Sequence, residues 1–357
     1  MPLPTIPEYS TSIEVQSLVL PEVLKGGHPI AKGTRLIKYS GGFCVVFPYD
    51  VAGKRYAVRC WHAEVENAKV RTQRIAEALE ASHLPYFVGF EYFQNGIVTP
   101  QSVQPIVVMD WVDAKPLKCF IAEHIHDKAV LLKLADNFKQ MVSDLHREHF
   151  SHGDLQHGNI MVNADCSLVL VDYDSMYVPS LNGMSDDVKG LPGYQHPLRW
   201  KQQKLSEKTD YFSEWVIYIS LRALALDSSL WKDLKMEDTD TMVFDGDDFS
   251  EGRSAKIFSR LLKNNELSPL VEELLSFLKA KSLDELQALE DGLIPMYERI
   301  SEKWKSGNGY EPPKAYTEDV SAISSKWSGG NGYNKNMDEK EKLQNVANII
   351  KEKMKKQ

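Results

Sequence analysis

Three polar residues at fixed spacing in segment 151–175 constrain this chain more than any other feature. Asp154 lies in an HGD triplet, Asn159 follows after five residues, and Asp172 follows after a further thirteen. A carboxylate of this kind can accept the proton of an attacking hydroxyl, and an amide with a second carboxylate can hold Mg²⁺ beside phosphates. The apolar run 168–171 predicts a short buried strand. We therefore expect Asp172 to lie at the end of a strand.

The sequence IKYSGGFCVVF at 37–47 predicts two strands joined by a glycine-containing turn. The turn contains Gly41, Gly42 and Phe43, and it resembles the glycine-rich loops whose backbone N–H groups bind phosphates. A plain β-hairpin with a Ser-Gly-Gly turn is the alternative interpretation.

A basic residue, Arg59, lies within the predicted strand YAVRCW, and a guanidinium in that place can pair with phosphate. The following segment, 63–82, has apolar residues at helical spacing. Glu77 lies in this segment, eighteen residues after Arg59, and a solvated glutamate on an exposed helix face is one interpretation of it.

Three further elements are predicted between residues 105 and 226. Segment 105–112 has the pattern of a buried strand running into a polar loop, and segment 129–149 carries an apolar stripe at helical spacing. An apolar helix is predicted from Asp210 to Leu226, and an N-cap is one interpretation of Asp210.

Residues 33–225 resemble the protein-kinase superfamily. The sequences HLPYFVGFEYF, HGDLQHGNI, VDYDSMYVP and GYQHP resemble one bacterial branch in particular. That branch comprises atypical Ser/Thr kinase domains like those of helix-hairpin-helix kinase proteins and of kinase–phosphatase gene clusters.

The resemblance implies an α+β, two-lobed protein-kinase-like fold. One lobe would be a small antiparallel β-sheet with one helix, and the other would be mostly helical. We expect an N-terminal extension at 1–32, the sheet lobe at 33–110, the helical lobe at 111–300 and a tail at 301–357.

The resemblance also implies the roles of the site residues. Asp154 would be the catalytic base, Asn159 and Asp172 would bind Mg²⁺, and Arg59 would contact the phosphates of ATP. A glutamate would orient Arg59: the distance from Arg59 favours Glu77 for this role, whereas counting back from His83 points nearer to Arg74. The predicted nucleotide pocket contains Gly41, Gly42, Phe43, Val46, Ala57, Arg59, Met109, Asp110, Val112 and Met161. In that pocket Met109 is the gatekeeper, and adenine would bond the carbonyl of Asp110 and the N–H of Val112. Asp210 would hold the backbone of the catalytic loop.

The chain departs from the kinase pattern at four positions. Arg59 stands in the place of a lysine, Gln156 in the place of another lysine, and Asp174 replaces the glycine of the metal motif. Gly153 replaces the arginine that reads a phosphorylated activation loop, so we expect no switch by phosphorylation of that loop. In addition, the GYQHP segment at 193–197 lacks the usual glutamate.

Composition excludes several other classes of protein. The 357 residues carry a formal net charge of −8, which argues against general binding to nucleic acid or to anionic membranes. The four cysteines have no metal-ligand spacing, and the N-terminus lacks the pattern of a secretory signal. No run approaches twenty apolar residues, so we expect no membrane span and a cytoplasmic location.

The tail contains a near repeat, KWKSGNGY at 303–310 and KWSGGNGY at 326–333, in which six of eight positions are identical. A Trp and a Tyr around the same Gly-Asn-Gly turn suggest a docking peptide for a protein substrate or partner. Packing of both copies on the helical lobe is the alternative.

The sequence favours an ATP- and Mg²⁺-dependent Ser/Thr protein kinase. Two alternatives stay open. A pseudokinase scaffold that binds nucleotide and acts through its tail fits the departures at Arg59, Gln156 and Asp174. A small-molecule kinase of the aminoglycoside-phosphotransferase type shares the HGDLxxGN motif, although the short stretch 113–129 argues against its substrate-binding insertion.

Overall fold

A computed structural model describes residues 3–63, 67–187 and 189–293 of the chain. The chain divides into two units, Met1–Tyr297 and Glu298–Gln357, and the description below concerns the first. The predicted tail at 301–357 and its repeat lie outside the described residues.

The strands form one large antiparallel sheet and two small ones. The strands are β1 His28–Pro29, β2 Ala31–Lys32, β3 Arg35–Leu36, β4 Tyr39–Ser40, β5 Cys44–Val51, β6 Lys54–Trp61, β7 Phe90–Val98, β8 Val103–Asp110, β9 Lys115–Pro116, β10 Ile160–Val162 and β11 Leu168–Leu170. The large sheet has the order β1-β5-β6-β8-β7, with β4 also paired to β5. The small sheets are β11-β10-β9 and β2-β3.

The α-helices are α1 Ile6–Ile13, α2 Ala68–Ser82, α3 Leu117–His124, α4 Lys128–Arg147, α5 Tyr211–Leu226, α6 Ser229–Asp233, α7 Gly246–Glu251, α8 Lys256–Leu261 and α9 Ser268–Phe277. Short 3₁₀ helices occur at Gln16–Leu18, Glu22–Leu24, Tyr173–Ser175, Pro179–Leu181, Pro192–Tyr194, Pro197–Lys201, Met236–Asp238, Gly252–Ser254 and Leu283–Glu285. A further helix begins at Leu289, and its described part ends at Leu293.

The large sheet shares its hydrophobic core with the N-terminal segment. Alternate residues of β5 point inward, and they pack with side chains from β6, β7 and β8. Tyr9, Ile13, Val19 and Leu24 belong to the same core, and the Tyr9 hydroxyl donates to the carbonyl of Trp61 at 2.9 Å. The segment before residue 33 therefore contributes directly to the packing of the sheet.

A second and larger core surrounds α4 and α5. The side chain of Asp127 caps α4 by accepting from the N–H of Val130 at 3.1 Å, and the apolar stripe predicted for this helix is buried. His146, near the end of α4, contacts Glu214 of α5 through Nε2 at 2.8 Å and Glu290 through Nδ1 at 2.7 Å. These contacts join α4, α5 and the last described helix.

The predicted helices at 63–82, 129–149 and 210–226 correspond to α2, α4 and α5, and the predicted strand at 168–171 corresponds to β11. The sheet and the helices together form a mixed α/β fold with an antiparallel sheet, consistent with a kinase-like fold. In the described ranges no helix is long and apolar enough to cross a bilayer.

Candidate active site

The loop between α4 and β10 brings Asp154 and Asn159 into direct contact. The Asn159 amide donates through Nδ2 to the backbone oxygen of Asp154 at 2.8 Å and to Oδ2 of its carboxylate at 2.9 Å. The other oxygen, Oδ1, is buried and has no hydrogen-bond partner among the described residues. Burial raises the pKa of Asp154, while His152 and Asn159 act in the opposite direction. One oxygen of this carboxylate therefore keeps the capacity to accept a proton.

The backbone of this loop is held in place from α5 and from the segment before it. The buried carboxylate of Asp210 accepts from the N–H of His152 and, at 3.0 Å, from the N–H of Gly153. Arg199 donates to the carbonyl of Gly153 at 3.3 Å and forms a buried ion pair with Asp186. The sequence indicated the role of Asp210, but nothing in it pointed to the pair between Asp186 and Arg199.

Asp172 lies two residues beyond the end of β11. Its φ of +65° is in the left-handed region, which is uncommon for a residue other than glycine. The N–H of Val171 donates to the carbonyl of Asn159 at 3.0 Å, which brings the end of β11 against the catalytic loop. The Asp172 side chain is 54% exposed and lines a cavity, so its carboxylate is available to a ligand.

The oxygen atoms at this point fit Mg²⁺. Because Nδ2 of Asn159 donates to Asp154, the amide oxygen of Asn159 remains as an acceptor, and Asp172 adds a carboxylate. In the part of the chain that the structure describes, no three His, Cys, Asp or Glu side chains converge as a metal site. Mg²⁺ commonly binds one or two protein oxygen ligands together with substrate phosphates and water, which matches this small donor set.

Arg59 extends from β6 toward the same place. Its side chain is 4% exposed, forms an ion pair with Asp174, and lies 3.5 Å from the carboxylate of Asp172. Burial opposes a charge on Arg59, but the two aspartates raise its pKa above the ordinary value. The guanidinium is therefore charged and lies beside the predicted metal ligand.

The structure does not bring Glu77 to Arg59, so the predicted pairing is corrected. Glu77 is exposed and accepts a hydrogen bond from Gln73 at 3.0 Å. The buried side chains of α2 include Ile75 and Leu79, and Glu77 lies two residues from each. Two residues correspond to about 200° around a helix, which places Glu77 on the opposite face. Asp174 pairs with Arg59 instead.

A cavity of about 480 Å³ lies beside these residues. Cross-strand pairing explains part of its wall, because Val46 pairs with Arg59 and Ala57 pairs with Met109. The lining residues are Tyr39, Ser40, Gly41, Cys44, Val46, Ala57, Arg59, Val88, Met109, Asp110, Trp111, Val112, Gly158, Met161, Val171 and Asp172.

Eight predicted pocket residues line this cavity, namely Gly41, Val46, Ala57, Arg59, Met109, Asp110, Val112 and Met161. Two predicted residues, Gly42 and Phe43, are absent from the lining. Phe43 is 39% exposed, and its carbonyl accepts from the N–H groups of His62 and Ala63. These hydrogen bonds attach the tip of the turn to the residues that directly follow β6.

An aromatic pair at the cavity was not expected from the sequence. The rings of Tyr39 and Trp111 lie 6.2 Å apart, and the guanidinium of Arg55 lies 5.7 Å from the Trp111 ring. Trp111 directly follows the strand that contains Met109, and this position in the sequence could have indicated that its ring lies at the cavity. The pair provides flat apolar surface suited to a ring-shaped ligand.

Gln156, which stands in the place of a lysine, does not supply a cation here. Its amide oxygen accepts from the N–H of Gly158 at 2.8 Å. Arg59 is thus the cationic side chain that lines the cavity.

One family description matches part of this chain. Residues 96–180 match the ABC1 atypical kinase-like domain, a span that contains Asp154, Asn159 and Asp172 but less than half of the chain. No curated protein matches the chain. The likeness to the helix-hairpin-helix kinase branch stays a prediction. The matched segment is similar to an atypical kinase-like domain of the protein-kinase-like superfamily.

Proposed function

We propose that this protein binds ATP with Mg²⁺ in the cavity and transfers the γ-phosphoryl group to a Ser or Thr hydroxyl of a protein. The observation that carries the proposal is the proximity of Asp154, Asn159 and Asp172. Asp154 and Asn159 are hydrogen-bonded to each other, and Asp172 is held beside them at the cavity wall.

The cavity supports the nucleotide part of the proposal. Its volume of about 480 Å³ lies within the usual range of ligand pockets. Its lining combines apolar residues from β5, β6 and β8 with the charged side chains of Arg59 and Asp172. Such a lining suits a ligand that has both an apolar ring and phosphates. Mg²⁺, when bound, would neutralise the charge of those phosphates.

Asp154 would act on the acceptor. Oδ2 is engaged by Asn159, so the acceptor hydroxyl would donate to Oδ1. As the hydroxyl oxygen bonds to the γ-phosphorus, its proton passes to Asp154, and the bond between the γ-phosphorus and the bridging oxygen breaks to leave ADP. The raised pKa of Asp154 favours its service as a base, because a stronger base takes a proton more readily.

A second function has its own observation. Gln156 stands in the place of a lysine, is neutral, and accepts a hydrogen bond from the N–H of Gly158. It therefore supplies no positive charge to stabilise the phosphoryl group during transfer. A nucleotide-binding scaffold without transfer activity would have the same cavity. Transfer of the phosphoryl group to a small-molecule hydroxyl would use the same chemistry and is the third candidate function.

Transfer of a labelled γ-phosphate tests the proposal directly. Purified full-length protein would be incubated with ATP labelled at the γ-phosphate, with and without Mg²⁺ and a mixture of Ser- and Thr-containing peptides. Asp154→Asn should abolish labelling of protein and peptides while ATP binding by calorimetry is kept. Asp136→Asn, an exposed aspartate on α4, is the matched control and should label normally.

The outcomes separate the candidates. ATP binding without any labelled product would favour the scaffold. Labelling of small alcohols supplied in a parallel incubation, with peptides left unlabelled, would favour the small-molecule kinase. The absence of ATP binding would contradict all three.

We also propose the two-lobed arrangement of the resemblance, with the nucleotide between the sheet and the helices, and a tail that docks a protein partner. The division of the hydrophobic core into one cluster around the sheet and one around the helices supports the first part. The repeated KWxxGNGY sequence supports the second.

A further inference from the structure

Asp174 stands where the metal motif of kinases has a glycine, and it contacts the buried arginine of the cavity wall. The guanidinium of Arg59 pairs with Asp174 and lies 3.5 Å from Asp172 through the same nitrogen, Nη2. The side chain of Asp174 is 24% exposed and that of Asp172 is 54% exposed. One buried arginine thus faces two carboxylates, and the more buried carboxylate holds it.

The position of Asp174 is fixed by its neighbours. It lies in the 3₁₀ turn Tyr173–Ser175, and both flanking side chains are buried. The Tyr173 hydroxyl donates to the carbonyl of Leu170 at 2.7 Å and accepts from the N–H of Val88 at 3.1 Å. These hydrogen bonds hold the turn that carries Asp174 without using the side chain of Asp172.

Helix α2 contributes no carboxylate to this contact, although the positive charge of Arg71 acts on Asp174. The hydrogen bonds of its arginines go to a different segment, because Arg71 donates to the carbonyl of Ser185 at 2.9 Å and Arg74 donates to the carbonyl of Ser180 at 2.7 Å. Among the described residues, the carboxylates that contact the Arg59 guanidinium are those of Asp172 and Asp174.

We propose that Asp174 is the positioning residue of the site: it anchors Arg59 and thereby keeps the carboxylate of Asp172 available to Mg²⁺. The inference rests on the proposed nucleotide site. Without Asp174, the guanidinium has Asp172 as its nearest carboxylate, already within 3.5 Å. A bound guanidinium and a bound metal ion would then compete for the same oxygens, because each neutralises the same charge.

The inference has a consequence for the way the site is assembled. The orientation of Arg59 depends on residues 172–174 and not on α2. Loss of an acidic side chain from α2 should therefore leave nucleotide binding unchanged, in contrast to loss of Asp174.

The test is the Mg²⁺ dependence of nucleotide binding, which requires neither an acceptor nor turnover. Calorimetric titrations with a non-hydrolysable ATP analogue would be made over a series of Mg²⁺ concentrations. Asp174→Asn should raise the Mg²⁺ concentration for half-maximal nucleotide affinity by roughly fivefold or more, the size expected when residues in contact are coupled. Asp174→Glu should restore most of the wild-type dependence, and Glu77→Gln should match the wild type.

A double-mutant cycle separates positioning from the simple loss of a negative charge. If Asp174 acts by holding Arg59 away from Asp172, then Asp174→Asn should have little effect on Mg²⁺ dependence once Arg59→Met is present. Thermal unfolding of each variant would verify that it is folded. If Arg59→Met does not fold, the neutral Arg59→Gln takes its place in the cycle.

Three results would overturn the inference. One is an equal effect of Asp174→Asn with and without Arg59, which would mean that only its charge matters. Another is a wild-type Mg²⁺ dependence in Asp174→Asn, and a third is a loss in Glu77→Gln as large as that in Asp174→Asn. Failure of the wild type to bind the nucleotide at any Mg²⁺ concentration would instead overturn the proposed function, and this inference with it.

Discussion

Replacement of Asp210 by alanine tests how the catalytic loop is held. The Asp210 side chain accepts hydrogen bonds from the backbone N–H groups of His152 and Gly153, and all three residues lie in the protein interior. A buried donor left without a partner costs about 1–3 kcal/mol. The loss of two is partly offset because burial of the carboxylate is itself unfavourable, as its raised pKa indicates. We therefore expect the free energy of unfolding to fall by about 2–4 kcal/mol.

The assay is urea unfolding, followed by circular dichroism, of the wild type, Asp210→Ala and Asp210→Asn. Asp210→Asn keeps one acceptor oxygen, so its loss should be smaller. The matched control is Asp245→Ala, because Asp245 also accepts from two backbone N–H groups, at 2.9 and 3.0 Å, but at an exposed helix start. Water can replace that cap, and its removal should cost about 1 kcal/mol.

Comparison of the two alanine variants decides whether the reasoning holds. The slope of the unfolding free energy against urea concentration should be the same in the two variants. If Asp210→Ala then destabilises the protein no more than Asp245→Ala does, the N–H groups of His152 and Gly153 have found other partners, and burial does not explain their contribution. If phosphoryl transfer is observed in the wild type, it should be lost in Asp210→Ala under conditions where the variant is still folded.

Three further predictions concern pH, the nucleotide and the tail. Burial opposes a charge on His146, but its two glutamate contacts raise its pKa to about 10. The stability that the charged His146 contributes should therefore be complete below about pH 6.5 and lost as the pH rises toward 10. His146→Gln should remove this pH dependence in unfolding measurements from pH 6 to 10. Arg59→Ala should weaken ATP binding by about 1.5–3 kcal/mol, with part restored by Arg59→Lys, and normal calorimetric binding in the alanine variant would contradict the phosphate contact. Joint replacement of Trp304 and Trp327 by alanine should remove most partner binding in pull-down experiments while ATP affinity is kept. A large fall in the temperature midpoint of unfolding, with partner binding retained, would show instead that the repeat is structural.

Local spacing was sufficient to predict that Asp154 and Asn159 lie together in one loop. Asn159 contacts Asp154 five residues away, so one short loop contains both partners and its sequence carries the whole arrangement. The apolar strand before Asp172 and the amphipathic pattern of α4 are likewise properties of single segments. Periods of two and of about 3.6 residues report which face of a segment is buried, and this information needs no knowledge of the fold.

Spacing along the chain failed where it was used to infer a contact between two elements. Eighteen residues separate Arg59 from Glu77, but the rotation of α2 about its axis decides which of its side chains face the sheet. The buried positions Arg71, Ile75 and Leu79 recur every four residues and mark the inner face of the helix. Glu77 does not share that spacing, so the helical period is a better guide to the inner face than the distance along the chain from Arg59.

The sequence by itself determined which groups could perform the chemistry: one carboxylate to accept a proton, an amide and a carboxylate for a metal ion, and a basic residue on a strand. The tertiary structure alone decided which partner holds the basic residue and what anchors the loop. Arg59 and Asp174 are 115 residues apart, and Asp210 lies 57 residues from Gly153. Such contacts depend on how β6 packs against segment 172–174 and how the start of α5 packs against loop 151–159, because a side chain buried by that packing pairs with whichever polar group the fold brings within reach.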